Sequence, residues 1–467
     1  MILKIKKIIS LITLFSIFIL FSGCIKPPKV TDKYKMTLEI WGLFDDSVIY
    51  DQIFNNYKNL NSQVDKINYK KLSPDTYKKE IIEALAANQG PDIVLINNAW
   101  IPQFKNIIAP APKNEKNINN IVVNEQKLKK DFVDVVADDF IIKNEIYGLP
   151  LSVDSLGLYY NRYLFNEMGI ALPPKNWDEF SNFARLLTKK DVQNRIVQAG
   201  AAMGTAYNIN RSSDILALLM MQKGAQMNKS DGSASFKDYV KKDRQNYYPG
   251  ESALNFYNQF SSISSGFYSW NSLLHYSIDA FSEGTCAMML NYSWQLETIK
   301  AKSPKLNFAV APIPQFNDGV KINFANYWAY TVIKQHAIEE EDLTNEERIY
   351  EAWKLLTYLA TNPENNIYAY QTNLIRGAQV DKSFDPGKVY LEATKKPATS
   401  RDIIESQKND ADLGVFAEGN LMAKSWYQNN SDDVEAIFAE MIDNVNRGRY
   451  QPKEAVDTAQ NRINKLK

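Results

Sequence analysis

Pro91-Asp92 leads into Ile93-Val94-Leu95-Ile96, four apolar residues in a row. Side chains alternate between the two faces of a strand. A strand that is apolar at every position therefore has both faces covered, as happens inside a parallel sheet flanked by helices. The preceding residues fit such a sheet. Residues 37–41 read as a strand, and after Gly42-Leu43-Phe44-Asp45-Asp46 the apolar residues Ile49, Ile53, Phe54, Tyr57 and Leu60 recur at helical spacing. Ser73-Pro74-Asp75 reads as a helix start, with a capping hydroxyl, proline at the first position and a carboxylate near the positive end. Tyr77, Ile81 and Leu85 mark one face of that helix, and Asn88-Gln89-Gly90 its end. Strand–helix–strand alternation predicts an α/β fold. Asn176, with Glu179 three residues on, opens another helix, and helical patterns fill 214–227, 251–263, 346–361, 432–445 and 452–466. Residues 308–311 and 329–333 read as short strands, and the polar stretch 113–130 as a surface excursion.

The amino terminus directs the chain outward. Lys4, Lys6 and Lys7 precede an apolar run at 8–21, whose 14 residues fall short of the roughly 20 that span a bilayer. A basic head, a short apolar stretch and a small-residue exit read as an export signal. Phe21-Ser22-Gly23-Cys24 resembles the lipobox of bacterial lipoproteins, with Phe21 where leucine is more usual. That resemblance implies a signal peptide at 1–23 and a mature amino terminus at Cys24, carrying acyl chains such as palmitate on its sulfur and amine. The chain would then be anchored to the membrane on its extracytoplasmic face. Several chains are needed for a lasting tether, at about 0.8 kcal/mol per buried methylene. The alternative is a plain secretory signal with an incidental cysteine. Residues 24–35, with Lys26-Pro27-Pro28-Lys29, then form a lipidated terminus and stiff spacer.

Composition narrows the partners. The full chain balances 54 Lys and Arg against 54 Asp and Glu, and losing three lysines with residues 1–23 leaves 51 against 54, a net −3. A nucleic-acid partner would want a basic stripe, so none is expected. With Cys24 acylated, Cys286 is left alone between Thr285 and Ala287 as a small core hydrophobe. His275 and His336 stand far apart with no cysteine pairs, so no metal site and no cofactor are expected. The 443 residues after Cys24 suffice for two to three domain-sized cores in one monomer.

Five stretches, in order, resemble the extracytoplasmic solute-binding proteins of ATP-binding cassette importers, in the sugar-binding group that includes maltose-binding proteins. They are Gly90-Pro91-Asp92-Ile93-Val94, Tyr147-Gly148-Leu149-Pro150 running on to Leu158-Tyr159-Tyr160-Asn161, Trp177-Asp178-Glu179-Phe180, Phe281-Ser282-Glu283-Gly284-Thr285-Cys286-Ala287-Met288-Met289, and Gly448-Arg449-Tyr450-Gln451-Pro452-Lys453-Glu454-Ala455. The resemblance runs from about residue 36 to the end. It implies a two-lobe periplasmic-binding-protein fold with a ligand cleft between α/β lobes. Lobe 1 would hold 36–153 and 313–372, and lobe 2 would hold 154–312 and 373–467. Crossing strands would lie near 153–158, 311–314 and 370–374 and bend to close the lobes.

Open α/β sheets bind ligands beyond the carboxyl ends of their strands. That rule selects Trp41, Asp45 and Asp46 after the first strand, and Asn97, Asn98 and Trp100 after 93–96. The resemblance adds Asp154, then Tyr292, Ser293 and Trp294 after a strand at 287–290, then Tyr327 and Trp328, and Trp426 as a late cleft aromatic. Aromatic faces cover the C–H face of a pyranose, and Asp and Asn take its hydroxyls. Each tryptophan could instead be core, and Asp45 could instead cap the helix beginning near Ser47. Trp177 and Trp353 read as packing residues, Trp270 as either. Many relatives have Leu-Pro where this chain has Asn373-Leu374-Ile375-Arg376-Gly377. Arg376 could face the cleft and favour an acidic or modified sugar, or pair with Asp154.

Two readings follow. The first is a lipoprotein, not an enzyme, that binds a sugar or oligosaccharide and delivers it to membrane permease subunits. The second is a secreted glycoside hydrolase, which needs two carboxyl groups about 5–9.5 Å apart. Asp45 with Asp154 is the only pair to nominate, and no motif supports it. Peptide, polyamine or metal ligands stay open within the binding class, although 12% aromatic content and two histidines favour sugars.

Overall fold

A computed structural model describes residues 35–113, 123–334, 343–361 and 383–466. Cys24, the spacer, Arg376 and the crossing expected at 370–374 lie outside them.

Following the chain, strand β1 (Met36–Gly42) leads through a 3-10 turn to helix α1 (Asp51–Leu60), β2 (Val64–Lys71), α2 (Tyr77–Ala86), β3 (Ile93–Asn97) and the short β4 (Ile108–Ala109). Helix α3 (Asp134–Phe140) closes this part. After the chain leaves the first core come β5 (Gly157–Asn161), α4 (Trp177–Leu187), α5 (Ser212–Gln222), α6 (Pro249–Asn258), β6 (Met288–Asn291), β7 (Phe308–Ala311) and β8 (Asn323–Phe324). It then returns through β9 (Trp328–Ile333), α7 (Asn345–Ala360), α8 (Pro386–Thr394) and α9 (Arg401–Gln407). It ends with β10 (Ala423–Lys424), α10 (Ser431–Asn446) and α11 (Pro452–Ile463).

The first sheet has the order β2-β1-β3-β9-β4. β2, β1 and β3 are parallel, whereas β9 runs antiparallel to both β3 and β4. All four residues at 93–96 are buried, as two covered faces require. α1 covers the sheet with Ile53, Phe54, Tyr57 and Leu60, and α7 with Trp353, Leu355 and Leu356. The second sheet, β6-β5-β7, is antiparallel and carries the second core together with α4, α5, α6, α10 and α11. Trp177, Trp270 and Trp353 are fully buried, so all three are core. Cys286 is buried as well, and burial pushes its thiol up to about 12.

The helices expected over 214–227 and 251–263 end early, at Gln222 and Asn258, and two further expectations differ. The helix expected from Ser73 starts only at Tyr77, because residues 73–76 first make a turn in which Thr76 N donates to Ser73 O at 3.2 Å. The polar stretch at 113–130 contains a helix, Glu125–Asp131, capped by the Asn124 side chain on Lys127 N.

The two hydrophobic cores exchange the chain at short steps, and near the end they alternate, with Phe416 and Trp426 in the second core and Ala417 and Ala423 in the first. Val153 belongs to the first and Leu156 to the second; Phe324 belongs to the second and Ala325 to the first. The return passage thus falls at 324–325, later than the 311–314 of the resemblance, and Ile313 packs in the second core. Tyr390, Leu391, Ile403 and Ile404 pack in the first core although they follow residue 373. Three segments meet at this junction: Ser155 bridges to Ala325, and β8 pairs in parallel with β10. Gly419 makes that approach possible, since a Cβ there would stand 2.8 Å from both Ser155 Oγ and Asn323 Nδ2. Among the described residues no helix is long and apolar enough to cross a membrane.

Candidate functional site

A cavity of about 890 Å³ lies between the two cores, within the range of about 300–1,000 Å³ usual for small-molecule sites. The wall from the first core is built at the carboxyl end of β3. There the Asn97 side chain accepts from Ala99 N and starts the 3-10 turn that carries Trp100. Trp328, beside Asn97 at the start of β9, meets Trp100 edge-on at 5.0 Å and Phe44 edge-on at 5.3 Å. Lys78 Nζ sits 5.0 Å from the Trp100 ring and pairs with Asp432 Oδ2 at 3.1 Å, linking α2 to α10.

The opposite wall comes from the turn after β6 and the start of α5. Trp294, 40% exposed, stacks on buried Tyr292 with centroids 4.4 Å apart. The Tyr292 hydroxyl donates to Asp214 Oδ2 at 2.7 Å, and the Arg211 guanidinium stands 5.8 Å from the Trp294 ring. Arg211 holds a left-handed backbone (φ 60°), a conformation that costs a non-glycine residue about 1–2 kcal/mol and occurs preferentially at functional sites. Asn326 joins the walls: its Oδ1 accepts from Asn97 Nδ2 at 2.9 Å, and its Nδ2 donates to Asp214 Oδ2 at 3.2 Å. Trp426 packs on Phe236 and Phe438 and closes the far side.

Two carboxylates anchor this region. Asp154 accepts from Ser293 N and from the Ser293 hydroxyl, and burial still pushes it up to about 7. Asp139, behind the wall, accepts from Asn98, Tyr327 and Ser425, and burial pushes it up to about 6.

Nine of the residues selected from sequence line the cavity: Asn97, Asn98, Trp100, Asp154, Ser293, Trp294, Tyr327, Trp328 and Trp426. Four do not. Trp41 packs against the first core with Lys70 Nζ 4.5 Å from its ring. Asp46 is exposed and pairs with Lys71 at 2.8 Å. Tyr292 is buried beneath Trp294 and supports it. Asp45 neither caps the helix nor reaches the cavity. It is buried, accepting from Tyr50 at 3.1 Å, Tyr390 at 2.8 Å and Lys396 Nζ at 2.7 Å. Asp45 and Asp154 thus have their oxygens engaged by different internal partners.

Sequence reasoning missed Phe44, Asn326 and Ser425, which line the cavity beside Asp45 from the strand-end rule and beside Tyr327 and Trp426 from the resemblance. It also missed Arg211, Asp214, Lys396 and Glu435, which line the cavity from helices and a loop and carry no motif.

Two α/β cores with a lined cavity between them define a two-lobe cleft-binding protein. Residues 47–366 match the bacterial extracellular solute-binding protein model, and the chain belongs to that family. A binding protein of Brucella abortus (strain 2308) is 21% identical over 297 residues, 63% of this chain and 64% of that relative's length. Among solved structures, the cyclic alpha-maltosyl-1,6-maltose binding protein from Arthrobacter globiformis superposes with a TM-score of 0.68 at 18% identity, covering 92% of this chain and 98% of that one. The sugar-binding protein MalE from Xanthomonas citri gives 0.66 at 17% identity, covering 92% and 96%. At these identities the likeness is one of fold.

Proposed function

We propose that this protein captures a sugar or oligosaccharide outside the cytoplasm and hands it, chemically unchanged, to the permease of an ATP-binding cassette importer. The observation that carries the reading is the pair of aromatic walls facing one cavity, Trp100 and Trp328 on one side and Trp294 and Trp426 on the other. Amides and hydroxyls of Asn97, Asn98, Asn326 and Ser425 lie between them. A pyranose offers a C–H face to such rings and a rim of hydroxyls to such polar groups. Four or five hydrogen bonds with two ring contacts suffice for micromolar binding, about −8 kcal/mol. The two solved relatives described above are named for binding sugars, which supports the same class of ligand here.

The two cores serve as lobes that close on the sugar, and closure is what the permease reads. Catalysis has no part in this reading, and the protein works as a monomer. Acyl chains on Cys24 moor it to the membrane through the spacer at 24–35; labelling with an alkynyl palmitate analogue tests this, with Cys24→Ser expected to abolish the label.

Screening the protein beginning at Val30 against a sugar panel by thermal unfolding tests the ligand class. A sugar present at 100 times its Kd adds about 2.7 kcal/mol of stability. A raised midpoint with intact sugar supports the binding reading, whereas released product supports a hydrolase.

A further inference from the structure

We propose that Asp139 is a positioning residue of the cleft, fixing the polarity of Asn98, Tyr327 and Ser425 toward a ligand and fastening α3 to the junction between the lobes. Its Oδ2 accepts from Asn98 Nδ2 at 3.0 Å and from the Tyr327 hydroxyl at 2.7 Å, while Oδ1 accepts from the Ser425 hydroxyl. The three donors come from three segments: the end of β3, the approach to β9 and the residue after β10. All three line the cavity, and Asp139 stands behind them. The neighbouring Asp138 pairs with Lys424 Nζ at 2.7 Å, so consecutive acids on α3 hold consecutive residues of the junction.

An ionised carboxylate only accepts, so it fixes the direction of all three bonds. Ser425 has one hydroxyl hydrogen, and it is directed at Asp139. Ser425 Oγ therefore meets the cavity as an acceptor, and a group placed against it must donate, as a sugar hydroxyl can. The proton balance of Asp139 controls this arrangement. Burial raises its pKa to about 6, the bonds from Ser425, Tyr327 and Asn98 lower it, and Asp138 raises it. Lys424, the nearby cation, is engaged by Asp138. A proton on Asp139 removes the charge that the three bonds share and weakens them, and the Tyr327 hydroxyl has a second acceptor in Val135 O at 3.3 Å to turn to.

The part concerning ligands rests on the sugar reading; the positioning itself does not. Two measurements separate them. The first is the Kd for maltotetraose between pH 8 and 5. Wild type is expected to weaken about tenfold through a step near pH 6, roughly one hydrogen bond to a charged group. Asp139→Asn loses that step, is weak already at pH 8, and keeps the separate dependence due to Asp154. A merely structural role would lower the unfolding midpoint and leave the pH profile of Kd in place, which overturns the proposal. The second needs no sugar: crystal structures of wild type at pH 8 and 5, with Asp139→Asn where it folds. Asn98, Tyr327 or Ser425 is expected to change rotamer, or to move away from residue 139, when the charge is lost. Unchanged rotamers and distances overturn the proposal whether or not maltotetraose binds. Failure of wild type to bind maltotetraose at any pH counts against the sugar reading for that probe alone.

Discussion

Ser293 N lies 3.0 Å and Ser293 Oγ 2.5 Å from the same oxygen of Asp154, Oδ2. Asp154 stands where the chain leaves the first core, and Ser293 follows β6 of the second, so this clasp ties the two walls of the cavity. Replacing Asp154 by alanine leaves two buried donors without an acceptor. The expected loss is about 1–3 kcal/mol of unfolding free energy, read by chemical denaturation.

Acid should stabilise the protein over a defined range. Burial raises Asp154 to about 7 and Asp139 to about 6, above the carboxylate values of an unfolded chain. Between the unfolded and folded values the folded state binds more protons, so stability from these groups grows as pH falls and is lost as pH rises through 6–7. The unfolding midpoint is expected to climb from pH 8 to pH 5, and Asp154→Asn to flatten the upper half of that rise. Scanning calorimetry across the range checks both.

The tryptophans separate by packing. Trp294 is 40% exposed on its platform of Tyr292, so Trp294→Ala should cost only about 0.5–1.5 kcal/mol of stability, the value of that ring contact. Its sugar affinity should fall about tenfold, the effect of losing roughly 1.4 kcal/mol of ring contact. Trp328 meets Phe44, Tyr77 and Trp100 edge-on, so Trp328→Ala should lose affinity and also about 2–3 kcal/mol of stability. Titration calorimetry paired with denaturation distinguishes the two.

Adjacent aspartates should behave oppositely. Asp46 belongs to an exposed ion pair, and Asp46→Ala is expected to change stability by less than about 1 kcal/mol. Asp45 is buried against Lys396 and two tyrosines, and Asp45→Ala leaves that lysine with only the Tyr390 hydroxyl, at a cost of about 1.5–3 kcal/mol. Urea unfolding of both variants tests the contrast.

What was legible in the sequence follows physical range. The run at 93–96 announces a doubly covered strand because burial on both faces is a local demand, and the Asn176 cap with Glu179 is likewise local. The strand-end rule found Asn97, Asn98 and Trp100 for the same reason. Asp45 and Asp46 satisfy that rule equally, yet their fates depend on Lys396 and Lys71, which lie 351 and 25 residues away. Arg211 and Asp214 reach the cavity because α5 packs against α6 and β8 and Asp214 meets the Tyr292 hydroxyl, relationships that leave no mark at either position. The return passage at 324–325 depends in the same way on the pairing of β8 with β10.

Titration calorimetry with each sugar that raises the unfolding midpoint in the panel, followed by chromatography of the recovered sugar, tests the central claim most directly. Saturable 1:1 binding that Trp294→Ala weakens, with the sugar recovered at its original length, is the predicted result. Saturable binding that the wall substitutions leave unchanged, or recovery of shortened sugar, would contradict the account.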